Sequence, residues 1–234
     1  MRNMLAPCAL VAALLLAPAS ARGEPMRLDL GLGTAVPVSV GAEATAELPY
    51  RILAHVSVGW LPSPYVDLIN DIVIAFGGYD ETTAELVEAA LQDSFVLRLA
   101  AGYRPFERAG FEVLAGYTLA ALGGGLSTAE VAEAASGKSF SSSQAREVPI
   151  DATVHNFQIG VGWRFVFWDR LVVRATLSYL QCFASTTTVT AEAQAPRLQP
   201  QLDQAADDLE EYLDDTFTTY IKVPVLGVGA AYRF

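Results

Sequence analysis

Apolar and polar residues alternate along most of this chain. "RLDLGLG" puts Leu28, Leu30 and Leu32 on one face. "VSVGAEATAEL" sets Val38, Val40, Ala42, Ala44, Ala46 and Leu48 against Ser39, Glu43, Thr45 and Glu47. "ILAHVSVGW", "FVLRLAAGY", "FEVLAGYTL", "FQIGVGWRF" and "LVVRATLSY" repeat the pattern, and "PVLGVGAAYRF" closes the chain with an eighth stretch. A period of two is the mark of a strand, because successive side chains point to opposite faces. The stretches run about nine to eleven residues, which spans a hydrocarbon layer when a strand is tilted. Beyond the N-terminal segment, no run of eighteen apolar residues occurs, so a helical membrane span is not expected.

The links between stretches differ by side. Those after the second, fourth and sixth are short: "PYR" at 49–51, "PFERAG" at 105–110 and "VFWDR" at 166–170. The link around "TAVP" is short as well, but the links at 61–94, 121–150 and 181–219 are long. Short turns at one rim and long loops at the other describe an eight-stranded antiparallel transmembrane β-barrel. Aromatic residues gather at the strand ends. Trp60, Phe95, Phe157, Tyr179 and Tyr220 fall at the long-loop side, and Tyr103, Phe111, Trp163, Phe165, Tyr232 and Phe234 at the short-turn side. Two aromatic rings around an aliphatic band match the two interfaces of a bilayer. Trp60, Tyr103, Phe111, Trp163, Phe165 and Tyr179 are the expected girdle.

The long loops carry helical rather than strand periodicity. "SPYVDLINDIVIAFGG" places Val66, Ile69, Ile72, Val73 and Phe76 on one stripe, and Thr82 with Glu85 has capping-box spacing. Ser127 with Glu130, ending at Gly137, repeats that device. "QLDQAADDLEEYLDD" aligns Leu202, Ala206, Leu209 and either Tyr212 or Leu213. Short amphipathic helices are therefore expected in the extracellular loops. Their apolar stripes require burial against each other, over the barrel mouth or on a partner.

Charge sharpens this picture. The chain carries a net −11, but the three long loops together hold −15 and the remainder +4. An acidic rim excludes nucleic acid as a partner. Side-chain parity sends Asp29, Glu43, Glu47, His55, Arg98, Arg104, Glu112, Gln158, Arg164, Arg174 and Arg233 inward. An eight-stranded barrel is just wide enough for side chains to fill. Buried charges there must pair, since an isolated one costs on the order of several kcal/mol. An ion-pair network of Glu43, Arg98, Glu112, Arg164 and Arg174 is expected to plug the lumen. Inward glycines leave room that would also suit a narrow pore.

The N-terminus reads as an export signal at 1–21: Arg2, the apolar run Leu10 to Ala17, and the small residues Ala19, Ser20 and Ala21. The barrel domain would then occupy 22–234. Cys182 is the one thiol outside that signal, so no internal disulfide is expected, and neither a metal site nor a cofactor is indicated.

The terminal "YRF", with Tyr232 and Phe234, resembles the insertion signal of bacterial outer-membrane proteins, which the barrel assembly machinery reads. The chain as a whole resembles the transmembrane-domain type of outer membrane protein A. It departs from that type in its helical loops and in having no peptidoglycan-binding segment after the barrel. The resemblance implies an outer-membrane location, with lipid and lipopolysaccharide around the barrel and an unknown surface partner. It implies a non-enzymatic role in anchoring and surface display. A small pore for ions or apolar solutes, as in barrels resembling outer membrane protein W, is the alternative. A third reading is a lipid-modifying enzyme, since some such barrels use a His-x-Ser pair, and "HVS" supplies His55 and Ser57. Parity turns both inward, away from lipid, so no catalytic residue is assigned.

Overall fold

The computed structural model of the chain describes residues 26–75, 93–106, 109–127, 147–190 and 199–234. Eight antiparallel strands close into one barrel in sequence order. They are β1 (Arg27–Val36), β2 (Ser39–Leu48), β3 (Ile52–Trp60), β4 (Asp93–Tyr103), β5 (Phe111–Ser127), β6 (Glu147–Phe167), β7 (Leu171–Val189) and β8 (Lys222–Arg233). Among the described residues two α-helices join them, α1 (Ser63–Ala75) and α2 (Gln199–Tyr220), besides a 3-10 turn at Pro49–Arg51. No helix among the described residues is long and apolar enough to cross a membrane. The export signal and the helices expected around 82–93 and 127–137 lie largely or wholly outside the described residues.

The strand pairings set the tilt. Stepping across the register from Leu171 leads through Tyr232, Leu30, Ala44, Val56, Leu99, Tyr117 and Phe157 back to β7 at Gln181. The path returns ten residues further along the strand, so the strands lean by about 40° from the barrel axis. At that tilt the interior admits side chains and little else.

Three expectations need correction. First, β5, β6 and β7 run 17, 21 and 19 residues, well into the segments read as loops at 121–150 and 181–219. The pattern behind this is an inversion of polarity, clearest along β6. In the lower part of β6, Phe157, Ile159, Val161 and Trp163 face outward and are exposed, while Gln158 and Arg164 are buried inside. Above that level Val154, Ala152 and Ile150 are buried inside, and His155, Thr153 and Asp151 face out. The lower pattern suits lipid outside. The upper pattern suits water outside and an apolar core within.

Second, α2 is a single helix of 22 residues and not a short one. Its buried stripe is Ala206, Leu209, Leu213, Thr216 and Phe217, whereas Tyr212 is exposed. The stripe therefore continues past the "LDD" that looked like an end. Third, Tyr220 closes α2 instead of sitting on a strand.

A β-bulge fixes how α2 meets the wall. On β7 an extra residue falls between the partners of Asn156 (Cys182) and His155 (Ala184). Below the bulge the buried β7 residues are even-numbered, such as Leu180 and Cys182; above it they are Thr187 and Val189. A bulge changes which face a side chain takes. Here it turns Thr187 and Val189 toward α2. The Thr187 hydroxyl donates to Asp214 Oδ1 at 2.7 Å, and the Val189 N–H donates to Glu210 Oε1 at 2.7 Å. Two of the acidic loop residues thus clamp the helix to the strand.

Candidate functional site in the divided lumen

The lower lumen is ionic. Asp29, Glu47, Glu112, Arg104, Arg164 and Arg174 are all buried. Arg174 is central: its Nε lies 2.8 Å from Glu112 Oε1, and its Nη1 donates to Thr45 Oγ1 at 2.9 Å. The N–H aligns poorly with Glu112, so that contact is ionic more than a directed hydrogen bond. Arg174 also lies 3.7 Å from Asp29, which takes a two-pronged bond from Arg233 at 2.8 and 2.9 Å. Nearer the short-turn rim, Glu47 receives Arg164 at 2.7 Å and Arg104 on its other oxygen. These bonds join β1, β2, β5, β6, β7, β8 and Arg104, the residue that follows β4, across the cylinder. Each of these charges removed from water has an opposite charge beside it, which is the condition for keeping such groups inside.

Of the five residues expected in the plug, Arg174 and Glu112 meet directly. Arg164 meets Glu47 instead. Arg98 donates to Gln158 Oε1 at 3.0 and 3.3 Å rather than to a carboxylate. Gln158 continues to Ser178 Oγ at 2.9 Å, and the Thr118 hydroxyl donates to Gln158 at 3.4 Å. Among the described residues no ion pair reaches Glu43. Its carboxylate lies where a Cβ on Gly229 would collide with Oε1, and one on Gly33 would sit 2.6 Å from Oε2. Glycine at those two positions makes room for the carboxylate. It borders a cavity of about 40 Å³, which Arg98, Arg174 and His55 also line.

His55 faces this cavity, with Nδ1 2.8 Å from Thr45 Oγ1, and Ser57 lines the same space. Neither touches the outer surface where a lipid substrate would sit. His155 is on the outside, with Nδ1 2.5 Å from the Tyr117 hydroxyl and its ring stacked on Tyr117.

On the exterior, Trp60, Tyr103, Trp163, Phe165 and Tyr179 are exposed, and Phe111 packs edge-on against Trp163 with ring centres 4.9 Å apart. At the C-terminus, Tyr232 and Phe234 stack edge to face at 4.9 Å, and the Phe234 N–H bonds Leu28 O at 2.9 Å.

The upper lumen is apolar, and sequence reasoning missed it. Leu122, Val154, Cys182 and Ile150 from the walls pack with Val66 of α1 and with Leu209, Leu213 and Phe217 of α2. The helices thus pack over the upper lumen. Below them, a chamber of about 110 Å³ is lined by Val96, Leu122, Val154, Leu180, Phe217 and Val223, among others. Asn156 and Thr118 also border it, at the Arg98–Gln158 layer that separates it from the ionic floor. The signal was in the chain: Ile150, Ala152 and Val154 alternate with period two, but in the opposite phase to Phe157, Ile159 and Val161.

The closed barrel with short turns at one rim and extended strands at the other has a counterpart among solved structures. A major outer membrane protein from Thermus thermophilus matches with a TM-score of 0.51 and 17% identity, over 90% of this chain and 100% of that one. This chain has the fold of an outer-membrane β-barrel. Acinetobacter baumannii CarO2 matches with a TM-score of 0.42 and 14% identity, over 92% and 100% of the two chains. The N-terminal β-barrel domain of Pseudomonas aeruginosa OprF gives 0.37 and 10%, over 89% and 96%. No family model and no curated protein matches the chain.

Proposed function

We propose that this protein is a non-enzymatic outer-membrane barrel that anchors and displays a helical, acidic head at the cell surface, with a lumen closed to ions. The observation that carries the reading is Arg174. It binds Glu112 and Thr45 and neighbours Asp29, so charged side chains from both sides meet in the middle of the cylinder. The Arg98–Gln158–Ser178 layer and the α1/α2 cap add two further obstructions in series.

Residues 1–21 would direct export and be removed. Tyr232 and Phe234 would be read by the barrel assembly machinery. The exposed aliphatic band and aromatic girdle would contact lipid and lipopolysaccharide. The inward position of His55 and Ser57 supports the non-enzymatic role. Surface display is tested by labelling intact cells that carry Tyr212→Cys with a membrane-impermeant maleimide. Tyr212 is exposed on α2, and native Cys182 is buried as an internal control. Labelling of intact cells is expected. Labelling only after the outer membrane is breached would place the helices in the periplasm and reject the orientation.

A further inference from the structure

The upper chamber has features of a ligand site that the anchoring role does not use. Its walls are apolar and its volume is about 110 Å³. An apolar engineered cavity of about 150 Å³ stays dry and takes up benzene. This chamber is therefore scaled to one aromatic ring or a short aliphatic chain. It is not uniformly apolar, however. Asn156 borders it, is 3% exposed, and its Oδ1 is buried without a hydrogen-bond partner among the described residues.

The amide orientation is fixed by its neighbour. The Nδ2 side donates to the Thr118 carbonyl at 3.4 Å, and a carbonyl can only accept. The other end is therefore an acceptor. A buried acceptor without a donor is costly, and native proteins rarely keep one without use. Leucine at this position would have completed the apolar wall. Thr118, Thr216 and Tyr220 are the other polar residues of the lining, and none of them is charged at neutral pH. The lining thus offers no charge to an ion, and Asn156 Oδ1 is its one buried acceptor without a partner among the described residues.

We propose that this chamber binds a small neutral molecule with an apolar body and a single O–H donor, of the size of phenol. Asn156 Oδ1 accepts the hydroxyl, and Leu122, Val154, Leu180 and Phe217 enclose the ring. The α2 cap then serves as the lid of a binding site as well as a displayed surface.

The test uses the refolded full chain in lipid nanodiscs, methyl-labelled for NMR, with phenol and toluene as probes of matching shape. Nuclear Overhauser contacts from the phenol ring to the Leu122, Val154 and Leu180 methyls are expected. Contacts only to lipid would overturn the proposal, because they report partition into the bilayer. Asn156→Leu should lower the preference for phenol over toluene by about fivefold to tenfold, the size of one hydrogen bond. An unchanged preference would overturn the role of Asn156. Ala120→Leu fills the chamber from its side and should abolish the contacts of both probes. Persisting contacts would place the site elsewhere. Should either variant fail to fold, the wild-type contacts decide alone.

Discussion

Below the Arg98–Gln158 layer the barrel interior is organised by ion pairs, and above it by aliphatic and aromatic side chains under a helical lid. The outer surface changes in the opposite sense at the same level, apolar below and polar above. On β6 the outer face changes from Phe157 to His155 and the inner face from Asn156 to Val154. The difference follows from solvent. Where lipid surrounds the wall, the outside takes up the apolar residues and the polar ones must go in and pair. Where water surrounds it, the strands revert to the arrangement of a soluble sheet, with the apolar face inside. The same strand therefore builds two cores of opposite chemistry. The bulge on β7 re-phases the wall at the junction, so that α2 can dock.

This contrast predicts unequal responses to mutation. The largest belongs to the floor. Arg174→Met leaves Glu112 buried beside no cation and should cost about 3–5 kcal/mol, read as a lower urea midpoint for refolded protein. Arg174→Met combined with Glu112→Leu should recover much of that loss, because Asp29 keeps Arg233. A double variant no better than the single would show that the floor is held by packing and not by charge balance.

A smaller effect belongs to the lid. Leu213 is 2% exposed in the upper core. Leu213→Ala should cost about 2–4 kcal/mol of lid stability through the cavity it leaves. The loss should appear as faster proteolysis of α2, with the barrel itself unfolding at an unchanged urea concentration. Equal loss in both would mean that floor and lid unfold as one unit. Smaller again is Thr187→Val, which removes the donor to Asp214 at a cost of about 1 kcal/mol. Hydrogen exchange confined to α2 and the upper end of β7 would report it, and exchange spreading into the lower strands would contradict the division.

Most of the membrane-spanning fold was legible in the chain, because lipid outside and charge inside produce clean alternation of one phase. Strand starts such as Ile52, Phe111 and Leu171 followed directly. The upper strands were not legible, although they also alternate. "VPIDATVH" puts its apolar residues on the face that "FQIGVG" gives to glycine and glutamine, so a continuous strand looked like a break. The bulge left no mark in "LQCFAS", since its cause is the need to meet α2, a contact far along the chain. In the lumen, parity identified which residues point inward. It did not identify their partners: Glu47, outside the expected cluster, holds both Arg164 and Arg104, while Arg98 turns to Gln158. Partner choice depends on the stagger between strands, which sequence does not display.

The central claim is that floor, layer and lid together leave no continuous aqueous path. Single-channel recording of the refolded wild-type chain in planar bilayers tests it most directly. The account predicts a silent bilayer at voltages where an open barrel of this size would conduct. Regular ohmic steps from the wild-type protein, unchanged when α2 is trimmed by protease, would contradict it.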